Sequence, residues 1–149
     1  MSLPGSPASP TGTALADGAV AVAVGLPDGA AQAVSVVLLA AAFVGAGVLH
    51  FVRPRLFEAV VPPSLPAPRL LVYVSGAAEV AGGLGLLVPS LRVWAGWGLA
   101  ALLVAVFPAN VYMARQAPRF RRIAPRWALM LRLPLQLVLI AWVLWAARP

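Results

Sequence analysis

Residues 70–113 read LLVYVSGAAEVAGGLGLLVPSLRVWAGWGLAALLVAVFPANVYM, two apolar stretches joined at Val88-Pro89-Ser90. A bilayer core takes about 20 predominantly apolar residues per helix, and each half meets that length. A link this short forces the two helices into an antiparallel hairpin. Working outward, two further stretches of spanning length flank the hairpin, so that the four run over residues 30–51, 70–88, 91–113 and 127–147. The expected fold is all-α: an antiparallel four-transmembrane-helix bundle, residues 30–149, preceded by a flexible tail, residues 1–29.

Composition supports this class. Of 149 residues 62% are hydrophobic, and the mean hydropathy of +0.93 is that of an integral membrane protein. Residues 1–29 hold four prolines, five glycines, two aspartates and no basic residue. Such a segment buries too little surface to order itself and lacks the basic start of a signal peptide. There is no cysteine, which excludes disulfides, thiolate metal sites and dithiol relays. A single histidine, His50, rules out bis-histidine haem within the chain and argues against zinc.

The net charge of +7 comes from eleven arginines without a lysine. In a soluble protein it would suggest nucleic acid. Here eight arginines fall in the first and third connections (Arg53, Arg55, Arg69, Arg115, Arg119, Arg121, Arg122 and Arg126) and two, Arg92 and Arg148, on the opposite side. The excess of positive charge places those two connections in the cytoplasm and both termini outside. Trp94, Trp97, Trp142 and Trp145 sit at the opposite helix ends, where an interfacial aromatic belt belongs. Arginine without lysine, with abundant alanine, suggests a GC-rich bacterium and hence a bacterial inner membrane.

Local signals refine the outline. Residues 55–61 are short and amphipathic, between Pro54 and Pro62-Pro63, and predict an interfacial helix on the membrane surface. Pro108 and Pro134 fall inside the third and fourth spans, where each frees a backbone carbonyl beside polar residues. Small residues recur four apart at Ala77, Ala81 and Gly85, at Gly96 and Ala100, and at Ala101 and Ala105, a spacing that lets helices approach closely. Gly82 and Gly83 lie one turn after Glu79, so the second span is expected at the centre.

The candidate site is a set of polar residues within the spans. Counted inward by helical rise from the arginine-rich side, His50 and Asn110 lie a few ångströms deep, Arg132 about 9 Å, and Glu79 and Gln136 about 15 Å. A charge at that depth costs about 2.5–3.5 kcal/mol and is usually paired or functional. Glu79 and Arg132 read either as a structural ion pair or as a ligand or proton site. Arg132 alternatively reaches out to the headgroups. His50 reads as a locally bonded helix-end residue or as a relay, and Asn110 and Gln136 as interhelical glue. No nucleophile–base pair, phosphate loop or paired carboxylates appear, so self-contained hydrolysis is not expected.

One family resemblance adds to this. His50-Phe51 with Pro54, Val60-Val61-Pro62 with Leu65-Pro66, the run Leu71-Val72-Tyr73-Val74-Ser75-Gly76 with Glu79, Gly83-Leu84-Gly85-Leu86-Leu87 with Pro89, Phe107-Pro108-Ala109-Asn110, and Leu131-Arg132-Leu133-Pro134-Leu135-Gln136 together resemble the DoxX-like family of small four-helix bacterial membrane proteins. The resemblance covers about residues 35–147. It implies a membrane subunit linked to a redox system, such as thiosulfate:quinone oxidoreduction, or to an oxidative-stress complex. The bundle also looks like vitamin K epoxide reductase and its methylamine-utilisation relatives, whose cysteine-pair chemistry this chain lacks.

The expectation is therefore a redox-associated inner-membrane subunit. Its cytoplasmic-half pocket, lined by His50, Tyr73, Glu79, Asn110, Arg132 and Gln136, would hold a quinone head group or a similar small polar ligand. Glu79 would accept a proton, Arg132 would stabilise an anionic form, and His50 would relay at the mouth. The expected partners are the lipid bilayer, redox proteins and a second copy of the chain, not nucleic acid. The alternatives are a non-enzymatic scaffold, in which the polar pair fixes helix register, and a small proton-coupled carrier.

Overall fold

The computed structural model describes residue 27 and residues 29–149. These form α1 (Ala30–Val52), α2 (Pro54–Glu58), α3 (Pro68–Leu87), α4 (Pro89–Arg115) and α5 (Arg126–Ala146). No strand occurs among the described residues. The four longer helices are each long and apolar enough to cross a membrane. The protein is thus a multi-pass membrane four-helix bundle. The flexible tail expected for residues 1–29 lies, but for residues 27 and 29, outside the described residues.

Prolines set the helix starts. Pro68 and Pro89 occupy the first turns of α3 and α4, where a missing N–H leaves no bond unmade. Pro108 and Pro134 sit inside α4 and α5, which continue through them. The short helix expected over residues 55–61 ends earlier than expected. α2 ends at Glu58, and the Val60 and Val61 amides reach back only three residues, to the Phe57 and Glu58 carbonyls at 3.1 and 3.2 Å. The cause is Pro62-Pro63, which pushes the preceding backbone away from helical angles.

The helices pack in the ring order α1, α3, α4, α5, closed by a slighter contact between α5 and α1. Glycines determine three of these seams. A Cβ on Gly76 would stand 2.6 Å from the His50 Cβ and 3.0 Å from the Gly47 carbonyl, and one on Gly47 would stand 2.6 Å from the Gly76 carbonyl. Backbone thus meets backbone between α1 and α3, the close approach that small residues allow in a membrane. On the other side of α3, Gly82 and Gly85 admit Leu99 and Ala95 of α4, and Gly96 of α4 admits Ala147. The expected small-residue seam is therefore corrected. Gly85 and Gly96 serve it and Ala100 is buried, whereas Ala77 and Ala81 are exposed because Gly76 and Gly83 set the rotation of α3 against α1, and Ala101 and Ala105 of α4 are exposed as well.

The principal core fills the end where α3 turns into α4. Val36, Leu39 and Phe43 of α1 meet Leu86 of α3, Leu99 and Leu103 of α4, and Val143 and Ala146 of α5. Two polar residues lock this end. Arg92 is buried, and its Nε donates to the Leu86 carbonyl at 2.8 Å, satisfying a group at the α3 terminus. Gln32 Nε2 donates to the Ala146 and Arg148 carbonyls at 3.2 and 2.9 Å, tying the start of α1 to the end of α5. Trp94, Trp97, Trp142 and Trp145 lie exposed around the same end. A smaller cluster of Met113, Ala117, Phe120 and Leu129 packs under the α4–α5 connection.

The glycine seam gives a direct test. Gly76→Val should lower stability by about 1–3 kcal/mol, since its side chain must force two backbones apart. Gly45→Ala, where an added Cβ meets nothing within 4 Å, should change little. Thermal unfolding of both variants in one detergent would check this; equal melting points would contradict the seam.

Candidate functional site

Gly82 and Gly85 hold α3 to α4 near the hairpin; past them a cavity of about 520 Å³ opens between the helices. That is within the range of pockets that enclose small ligands, about 300–1,000 Å³. Its walls are apolar: Leu71 and Val74 from α3, Leu102, Ala105 and Val106 from α4, Leu135 and Leu139 from α5. Phe57, Val60, Val61, Pro62 and Leu65, from α2 and the residues after it, line one side. α1 contributes His50.

His50 is at the last turn of α1, and the Gly47–Gly76 contact brings it against α3. Its Nδ1 stands 2.8 Å from the Ala46 carbonyl and 3.3 Å from Glu79 Oε2. A carbonyl only accepts, so Nδ1 carries the proton and donates it to Ala46. Glu79 Oε2 is consequently beside the ring yet buried without a hydrogen bond. The Phe57 ring stacks on His50, with centroids 3.7 Å apart and planes 23° from parallel. Of the two readings for His50, local bonding is present, and the Glu79 contact comes with it.

On the opposite wall the polar groups form a chain. Gln136 is buried, and its Nε2 donates to the Leu103 carbonyl. Leu103 lies five residues before Pro108, next to Val104, whose carbonyl Pro108 leaves without its helical N–H. Gln136 Oε1 accepts from Asn110 Nδ2 at 2.5 Å. Within α3, Ser75 Oγ donates to the Val72 carbonyl at 3.0 Å. Both amides therefore act as interhelical links, and Asn110, Gln136 and Ser75 all line the cavity.

Two expectations need correction. Arg132 lines the cavity but is exposed, and among the described residues it forms no ion pair with Glu79. α4 stands between α3 and α5 in the ring, so the two helices face each other only across the cavity; the carboxylate's neighbour is His50. Tyr73 does not line the cavity. Its ring stacks on Phe51 at 5.5 Å, and its hydroxyl accepts from Arg69 Nε at 3.2 Å. One residue along, Val72 is buried, and that rotation leaves Tyr73 half-buried on another face. Arg69 also approaches Glu58 at 3.7 Å, an exposed pair of small energetic weight.

The cavity thus gathers His50, Glu79, Asn110, Arg132 and Gln136, and leaves Tyr73 out. Sequence reasoning missed Phe57 as a wall; its signal was a short amphipathic helix directly after His50. It also missed the parts of Arg92 and Gln32, for which no sequence pattern stood out. Among the described residues no three histidine, aspartate or glutamate side chains converge as metal ligands would.

Fold and cavity together define a small multi-pass membrane protein with a ligand-sized chamber between its helices. The chain belongs to the family described as a domain of unknown function, DUF8561, which matches residues 39–147. No curated protein and no solved structure matches it.

Proposed function

We propose that the protein is a membrane subunit that takes the head group of a small amphiphile of the quinone type from the bilayer into this cavity. The observation that carries the reading is the cavity itself: apolar walls around a few polar groups, with a Glu79 carboxylate oxygen that is buried without a hydrogen bond beside His50. Ligand pockets commonly combine an apolar lining with sparse polar groups that fix orientation. A carboxylate within a span is by default a functional candidate. In this reading Glu79 accepts a proton from the ligand, and His50, beside the carboxylate, relays it. Arg132, at the exposed edge, draws in ligands with partial negative charge rather than neutralising Glu79. The link to a redox system rests on the resemblance to the DoxX-like family.

Protein purified in mild detergent should carry bound quinone or quinol, measurable by solvent extraction and mass spectrometry. Glu79→Gln should reduce that content several-fold at unchanged protein yield. No quinone or quinol in either protein would overturn the reading and favour a scaffold that acts by binding other subunits.

The charge distribution supports a bacterial inner membrane with the arginine-rich connections in the cytoplasm and both termini outside. The chain has no cysteine, so a single cysteine at Arg121 or at Ser90 reports its side cleanly. A membrane-impermeant maleimide added to intact cells should label Ser90→Cys and spare Arg121→Cys; the reverse pattern would invert the topology.

A further inference from the structure

We infer that the cavity selects a head group whose ring carries hydroxyl groups, a quinol or phenol, over one that offers only carbonyl or ether oxygens. The inference rests on the reading of the cavity as a ligand site and adds the form of the ligand it takes.

Four polar side chains lining the cavity already donate a hydrogen bond to another protein atom. His50 Nδ1 donates to Ala46, Ser75 Oγ to Val72, Gln136 Nε2 to Leu103, and Asn110 Nδ2 to Gln136. Three of these acceptors are backbone carbonyls, which only accept, so the directions are imposed. The amide chain shows the consequence. The Leu103 carbonyl obliges Gln136 to present Nε2 to it, which turns Oε1 toward Asn110. Asn110 must then offer Nδ2, and its Oδ1 is left without a protein partner.

What remains for a ligand is a surface rich in acceptors. Asn110 offers Oδ1, and Ser75 offers the lone pairs of a hydroxyl whose proton is engaged. Glu79 Oε2 is buried without a hydrogen bond, and a carboxylate oxygen in that state is an acceptor. The remaining donors are the second N–H of each amide and the Arg132 guanidinium, which is exposed. Hydroxyls donate into such a surface. A quinone carbonyl can accept from those remaining donors but has no hydrogen to give to Glu79 Oε2, Asn110 Oδ1 or Ser75 Oγ, and a site built for a hydroxyl discriminates strongly against an analogue that cannot donate.

The test compares ligands with the same skeleton. Decyl-hydroquinone and decyl-benzoquinone are titrated anaerobically into the protein in lipid nanodiscs, beside empty nanodiscs, by equilibrium dialysis. A long-chain alkylphenol and its methyl ether repeat the comparison without redox chemistry. The expected result is that each hydroxyl compound binds tighter by about tenfold or more. Glu79→Gln, which replaces an acceptor oxygen by an N–H donor, should shrink that ratio. Equal binding of both members, or tighter binding of the quinone and the ether, overturns the inference while leaving the cavity a ligand site. Binding of none of the four overturns the proposed function and this inference together.

Discussion

Gly47 and Gly76 put the backbones of α1 and α3 in contact, and the rest of the arrangement depends on that contact. No hydrophobic force draws one apolar helix to another within lipid, so close packing and polar contacts must hold the bundle. With α1 and α3 joined in this register, His50 falls beside Glu79, and Gly82 and Gly85 turn toward α4. α4 can then meet α3 tightly only near the hairpin. One half of the bundle fills with Leu39, Leu86, Leu99 and Val143; the other is left with a chamber.

The fold was legible because its signal is additive. Four apolar stretches and a three-residue link at Val88-Pro89-Ser90 leave little choice of topology, and prolines mark several ends. The site was only half legible, and the reason is rotational. Successive helical residues differ by about 100° around the axis, so depth follows from counting but facing direction does not. Glu79 and Gln136 both line the cavity. Arg132, one turn from Gln136, nonetheless stands exposed without meeting Glu79, and Tyr73 turned to Phe51. The side chain that does meet Glu79 is His50, whose position depends on two glycines in different helices.

The polar groups of the cavity show how a bundle can be held together and functional with the same atoms. Gln136 joins α5 to α4 through the Leu103 carbonyl, and Asn110 extends that link. These bonds use protons and leave oxygens. In an apolar surrounding an unsatisfied acceptor is costly, and Glu79 Oε2 is such an atom. The arrangement is self-consistent when a ligand completes it, which connects the helix packing to the proposed chemistry.

α3 and α4 touch near the hairpin, and the chamber separates them beyond it. The Gly82–Leu99 contact puts Ser75 level with Val106, on opposite walls, and the cysteine-free chain makes paired cysteines unambiguous. Oxidative cross-linking in membranes is the measurement to make, with Gly85→Cys/Ala95→Cys compared with Ser75→Cys/Val106→Cys. A disulfide needs Cβ atoms about 3.5–4.5 Å apart. The first pair should form one readily, and the second should not, while remaining bridgeable by a longer bis-maleimide. Efficient disulfide formation by the second pair would mean that the helices close on each other there, leaving no chamber for a ligand.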